Sequence, residues 1–228
     1  MSNKIIEEFV GGRTPHLSEV YSNDNFTSIL SYEKSGISMK VNLPLVLSRK
    51  KRGMTGGVWG EKWKVISKNL IDLGVPHIVK NGSEINKESD SLKLSIFYIS
   101  YNTRNLQKVD VRKENEEFGR FLGVPEKDNK WYDENDMPTI EKCTPLPDYL
   151  NLEKEKWRDL FYIKMIPWIC RPTREALRRN IRIGKSWHDT LYNLSKLDIP
   201  EPLEAANRDV HSPCMWYDFK EDLPKNLL

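Results

Sequence analysis

Five cations fall on one side of a helix expected near the C-terminal end of the chain. Arg171, Arg174, Arg178, Arg182 and Lys185 follow one another at intervals of 3, 4, 4 and 3 residues, which at helical pitch gathers them into an arc of about 80°. Guanidinium groups stay charged throughout the physiological pH range and present forked donors that match phosphate oxygens. A row of like charges repels itself unless water or a negative group faces it. The chemistry implied is an electrostatic grip on an anion, either nucleic acid or a phosphorylated molecule, with Trp168 and Trp187 nearby in sequence as stacking surfaces. The competing account is a solvated face that pairs with the acidic segment 126–136.

A second cationic group is contiguous. Arg49, Lys50, Lys51 and Arg52 run directly into Gly53, Gly56, Gly57 and Gly60, and a helical pattern follows. Glycines let backbone come close to a ligand, and the start of a helix favours an anion. Trp59 and Trp63 stand beside this loop as further aromatic surfaces. The segment lacks the Gly-Lys-Ser/Thr ending of a phosphate-binding Walker loop and lacks a Gly-x-Gly-x-x-Gly fingerprint. A surface loop without ligand contact is the alternative.

Nucleophiles and metal-capable groups are sparse. Cys170, His188, His211 and Cys214 lie within 45 residues, but only His211 and Cys214 have the close spacing of ligands, and zinc sites use two such pairs. No metal and no cofactor is expected. An enzyme reading remains: a phosphate-handling catalyst in which the arginines neutralise substrate charge, Cys170 is activated beside His188, and His188 or His211 moves protons. The acidic cluster Asp128, Asp133, Glu134 and Asp136 lacks the glycine and closing glutamate of a calcium loop and reads as a solvated connection. A third reading is an interaction module whose arginines dock on an acidic protein.

The segment Gly119-Arg120-Phe121-Leu122-Gly123-Val124-Pro125-Glu126-Lys127-Asp128 resembles a block of an uncharacterised, largely archaeal protein family that reads Gly-Arg-x-Leu-Gly-Tyr-Pro-Glu-Cys-Cys. Cys170-Arg171-Pro172-Thr173-Arg174-Glu175-Ala176 is similar to the Cys-x-Pro-x-Cys-x-x-Ala segment of the same family. The paired cysteines of that block fall on Lys127 and Asp128 here, and the second cysteine of the later segment falls on Arg174. Of the four thiols only Cys170 persists. The resemblance implies a compact α/β arrangement and no particular activity.

The chain that must position these groups has 228 residues, 38% of them apolar, with seven Trp, nine Tyr and seven Phe, enough for a proper core. Its 36 basic and 33 acidic side chains nearly cancel at +3, which excludes a general polycationic coat and leaves local patches as the informative feature. Three widely spaced cysteines, Cys143, Cys170 and Cys214, do not form a disulfide framework. No apolar run approaches the about 18 residues of a membrane span, and Met1 to Val10 has no long hydrophobic stretch. The expectation is a soluble, cytoplasmic protein with no membrane contact.

Mixed α/β architecture is predicted, with a small sheet and packed helices in the N-terminal half and a mainly helical C-terminal half. Residues 1–228 are read as one compact unit, divisible into an α/β part at 1–105 and a mainly helical part at 106–228. Ile37, Met39, Val41, Leu43, Leu45 and Leu47 alternate as in an edge strand interrupted by Pro44. Trp59, Trp63, Ile66, Leu70 and Leu73 have helical spacing and Gly74 caps them. A short strand from His77 to Lys80 leads to a turn at Asn81-Gly82, and residues 92–101 form the best strand, apolar on both faces in its second half. Residues from about 106 to Leu122 read as helix, 126–150 as an exposed connection, and 152–166 as another helix ending at Pro167. The arginine-row helix follows, with Thr173 as N-cap and Leu177, Ile181, Gly184, His188 and Leu191 as its packed side. Beyond Leu197 a proline-containing tail is expected to wrap the surface.

Overall fold

The computed structural model describes residues 5–32, 37–84, 93–108, 116–134, 144–145, 162–166, 174–208 and 216–217. The fold is mixed α/β. The chain divides into two compact units: Met1–Gly123 with Thr190–Ala205, and Val124–Asp189 with Ala206–Leu228. The boundary therefore falls at residues 123 and 124, later than the one expected from sequence, and the first unit takes in a C-terminal segment as well.

A four-stranded antiparallel sheet organises the first unit. Its strands are β1 (Ile5–Phe9), β2 (Gly53–Trp59), β3 (His77–Glu84) and β4 (Lys93–Ser100), in the order β1-β3-β4-β2. Short α1 (Leu17–Val20) precedes α2 (Asp24–Ser31), α3 (Ile37–Leu47) and α4 (Trp63–Asp72). Phe26, Ile29 and Leu30 of α2, Met39, Leu43, Val46 and Leu47 of α3, and Ile66 and Leu70 of α4 form one core with Met54, Val58, Val79, Phe97 and Ile99 of the strands. Ile78 and Tyr98, which alternate to the opposite face, pack with Leu106 of α5 (Thr103–Lys108) and Phe121 of α6 (Glu116–Leu122). Helices thus cover both faces, and Phe97, Tyr98, Ile99 and Ser100 are all buried. This accounts for the doubly apolar end of β4.

Three sequence expectations change here. Residues 37–47 form α3, not an edge strand: Met39, Leu43, Val46 and Leu47 share a helical face, while Pro44 and Leu45 are buried as well. Burial around most of the circumference makes a period of 2 indistinguishable from one of 3.6. Asn81-Gly82 is not a turn, because β3 continues to Glu84 and absorbs the irregularity as a register shift between Asn81 and Glu84. The expected basic glycine loop is mostly strand: Gly53, Gly56 and Gly57 lie within β2, paired with Ser100, Phe97 and Ile96. The helix after it begins at Trp63 and ends as expected, with Gly74 at φ 68°. There the amides of Gly74 and Val75 donate to the carbonyls of Ile71 and Leu70, the double bond of a Schellman cap.

In the second unit, residues 126–134 are not an exposed connection but helix α7 (Glu126–Glu134). A 3-10 turn at Tyr162–Met165 occupies the end of the segment expected as helix 152–166, whose remainder lies outside the described residues. Helix α8 (Arg174–Ser195) is the long arginine-row helix, and Thr173 before it lies outside the described residues. Arg174–Asp189 belongs to the second unit and Thr190–Ser195 to the first, where Leu194 and Ile199 join the large core. Of the tail expected beyond Leu197, Glu201–Arg208 form α9, and residues 209–215 and 218–228 lie outside the described residues. Residues Thr144–Pro145 and Trp216–Tyr217 pair as β5 and β6.

The strand glycines set how near the helices come. A Cβ added at Gly53 would stand 2.6 Å from the backbone carbonyl oxygen of Phe121, whereas one at Gly56 would meet the flexible end of Met39 at 3.1 Å. Gly53→Ala is therefore expected to cost about 1–3 kcal/mol by displacing α6, and Gly56→Ala distinctly less. Urea unfolding of the two variants checks this, and equal midpoints would refute it.

Candidate functional site

Arg49 to Arg52 form a tight turn off the end of α3, and two of its four cations point inward. The amides of Lys50 and Lys51 both donate to the Leu45 carbonyl, and Arg49 adopts φ 63°. Arg49 Nη2 donates to the Thr14 carbonyl at 2.5 Å, and its guanidinium lies 5.3 Å from the Tyr101 ring centroid. Thr14 in turn donates to the Ser100 carbonyl. The result is a staple between the N-terminal segment and the end of β4. Burial, with help from Arg13, holds the Arg49 pKa below its usual value.

Lys51 is only 4% exposed, and its ammonium donates to Asn42 Oδ1 at 2.9 Å. Asn42 Nδ2 donates to Ser38 Oγ at 3.0 Å, and Ser38 donates to the Thr55 carbonyl at 2.6 Å. This chain fastens α3 to β2. Desolvation by burial lowers the Lys51 pKa to about 7. Lys50 and Arg52 are exposed. The expectation of a four-cation ligand loop is corrected accordingly: Arg49 and Lys51 hold the fold together, and the glycines admit helices to the sheet. Trp59 ends β2, 42% exposed.

The arginine row is borne by α8. Arg178, Arg182 and Lys185 are exposed along it, within an arc of about 60°. None of the three makes an ion pair among the described residues. Glu175 and Asp189, also exposed, stand on the same side of the helix, one before the three cations in sequence and one after them. Arg174 is the first residue of the helix, while Arg171 and Trp168 lie outside the described residues. Trp187 is corrected as a stacking surface: it is 2% exposed. The packed side of α8 is Ala176, Asn180, Gly184, Trp187, Leu191 and Leu194, rotated from the expected one because a tryptophan and an asparagine take core positions.

Arg179, one residue from the row, behaves differently. Its Nη2 bonds Asp128 Oδ2 of α7 at 2.5 Å, and Asp128 is completely buried. The amides of Asp128 and Asn129 both donate to the Pro125 carbonyl, which opens α7 at that point. Asp128, expected in a solvated connection, is thus a buried charge with a charged partner. Asn180 is also completely buried, and neither its Oδ1 nor its Nδ2 has a hydrogen-bond partner among the described residues. At Gly184 the 3-10 turn comes so close that a methyl group would overlap the Tyr162 carbonyl oxygen. The Tyr162 ring meets His188 edge-on, 5.5 Å between centroids. His188 is half-buried there. Cys170, His211 and Cys214 lie outside the described residues, and among those described no group of three or more His, Cys, Asp or Glu is placed to hold a metal.

Sequence reading missed one nucleophile-base pair. Ser67 of α4 and His77 of β3 stand 2.7 Å apart, and His77 Nδ1 is 2.9 Å from the Val75 carbonyl. A carbonyl only accepts, so Nδ1 carries the proton and Nε2 accepts from the serine hydroxyl. The geometry resembles an activated serine, yet Ser67 and His77 are 1% and 0% exposed. The rings of Phe9 and Phe97 lie about 6 Å from the imidazole. It ties helix to sheet. Its only sequence signal is a serine beside the apolar stripe of α4.

No family model, curated protein or solved structure matches this chain. No helix among the described residues is long and apolar enough to cross a membrane.

Two predictions separate the inward cations from the outward ones. Between pH 7 and the usual lysine value of 10.5 the folded state has released the Lys51 proton while the unfolded state retains it, so stability rises with pH across that window, by up to about 1.4 kcal/mol per pH unit. It is lost again as pH falls toward 7. Lys51→Met should remove this rise, and parallel wild-type and variant unfolding profiles from pH 7.5 to 9.5 would contradict it. Asp128→Ala should destabilise toward the low end of roughly 3–5 kcal/mol, since Arg179 keeps some solvent, whereas Arg182→Gln should stay within about 0.5 kcal/mol. Chemical denaturation measures both.

Proposed function

We propose that this protein binds an anionic partner through the exposed row Arg178, Arg182 and Lys185 of α8. The observation that carries the reading is the contrast along one helix. Arg179 has Asp128 as its carboxylate, while the three cations of the row face water without an ion pair among the described residues. Adjacent like charges within one or two turns repel by a few tenths of a kcal/mol. A negative ligand relieves that repulsion and gains from all three at once. The turn at Arg49 to Arg52 plays no part in this reading, because two of its cations are committed inside the fold.

Titration at low ionic strength tests the proposal. Wild type and the triple variant R178Q/R182Q/K185Q are compared against a polynucleotide, a nucleoside triphosphate and polyglutamate, with binding read by backbone amide chemical shifts. Wild type is expected to respond to at least one of these with shifts centred on residues 178–185, and the variant to lose the response while keeping its fold. Silence of wild type toward all three would end the anion-binding reading.

A further inference from the structure

Resting on that reading, we propose that the anion is the sugar-phosphate backbone of double-stranded nucleic acid, held without regard to base sequence. Three features of α8 lead there.

The first is shape. At 1.5 Å rise per residue, Arg178, Arg182 and Lys185 extend over about 10.5 Å along one side of a helix. A small phosphorylated molecule is held in a concavity that buries most of its surface. A file of cations along a helix ridge instead suits an anion that repeats along a line. Each strand of a duplex presents a charge every 3.4 Å or so of axial rise, so the row spans about three phosphates.

The second is what the row lacks. Among the described side chains of α8 from Glu175 to Asp189, every exposed one is charged: Glu175, Arg178, Arg182, Lys185 and Asp189. A protein partner needs an apolar or aromatic anchor at the centre of its contact; these exposed side chains offer none, and the exposed aromatic among the described side chains of α8, Tyr192 at 46%, follows the row in the part of the helix that belongs to the first unit. Trp187, the one large aromatic in the stretch, is buried, so bases have no exposed indole here to stack on. No exposed Asn or Gln stands among them to read adenine, and a guanine contact by Arg or Lys is the base readout open to the row. Set in line on a ridge at a spacing that matches successive phosphates, the three cations are assigned to backbone contact, which positions a protein on a duplex and carries no sequence information.

The third is the pair of carboxylates. Glu175 and Asp189 flank the three exposed cations before and after them in sequence and would repel phosphates there, which opposes the contact. This yields a test that a folding defect cannot imitate, because removing the carboxylates should strengthen binding.

The experiment is fluorescence anisotropy with two labelled duplexes of about 20 base pairs and unrelated sequence, in 25 to 200 mM NaCl, with a nucleoside triphosphate and polyglutamate as competitors. The two duplexes should bind equally within about threefold, in the non-specific range. The slope of log affinity against log salt should become shallower by about 0.9 for each of Arg178→Gln, Arg182→Gln and Lys185→Gln, and E175Q/D189N should bind more tightly than wild type. Three contacts correspond to about a 40-fold loss between 50 and 200 mM salt. A strong preference for one duplex, or equal competition by the triphosphate or polyglutamate, would overturn the duplex proposal while leaving anion binding by the row in place, whereas an unchanged slope in the triple variant would overturn both. Absence of binding to every one of these probes would overturn both.

Discussion

A cation withdrawn from water must find compensation, because desolvation costs several kcal/mol even after the surroundings relax. This requirement sorts the basic residues. Lys51 meets it with Asn42 and a lowered proton affinity, Arg49 with the Thr14 carbonyl and the Tyr101 ring, and Arg179 with Asp128. Arg178, Arg182 and Lys185 never incur the cost, since they stay in water. Near neutrality of the whole chain hides this division. The functional reading rests on which cations are left outside.

The same requirement shapes the first unit. Helices on both faces of the sheet keep His77–Val79 and Phe97–Ser100 from water, and polar groups within the unit are placed in chains: Ser67 with His77 and Val75, and Lys51 with Asn42, Ser38 and Thr55. Each chain ends on a backbone carbonyl that only accepts, which fixes its direction. Glycine performs the complementary task. Gly53 omits the Cβ that the Phe121 carbonyl would strike, and the second unit repeats the device where Gly184 admits the Tyr162 carbonyl. In both places a residue type associated with ligand loops or weak helices serves close packing of backbone.

Several elements are legible in the sequence because their signals are local. The stripe Trp63, Ile66, Leu70 with Gly74 and Pro76 marks α4 and its cap, and the β-branched and aromatic run at 93–100 marks β4. The cationic spacing of α8 likewise persists in the fold, in Arg178, Arg182 and Lys185. What misleads is burial on more than one side. In α3 it erases the helical period, and in β2 it makes strand glycines look like a loop. In α7 an acidic run looks solvated because nothing in residues 126–134 announces that Arg179, 51 residues further on, closes over Asp128.

Residue order alone determined where cations recur at helical pitch, where helices stop and that the chain carries a core, since each follows from local geometry and composition. Tertiary structure decided which charges are spent inside. Arg178 and Arg179 are chemically identical neighbours, and about 100° of helical rotation turns one toward water and the other toward a buried carboxylate. Trp187 met the same fate, drawn from an expected stacking surface into the core by the face that α8 buries. Side-chain identity states what a group is able to do, and packing against distant residues settles whether solvent, and hence a ligand, reaches it.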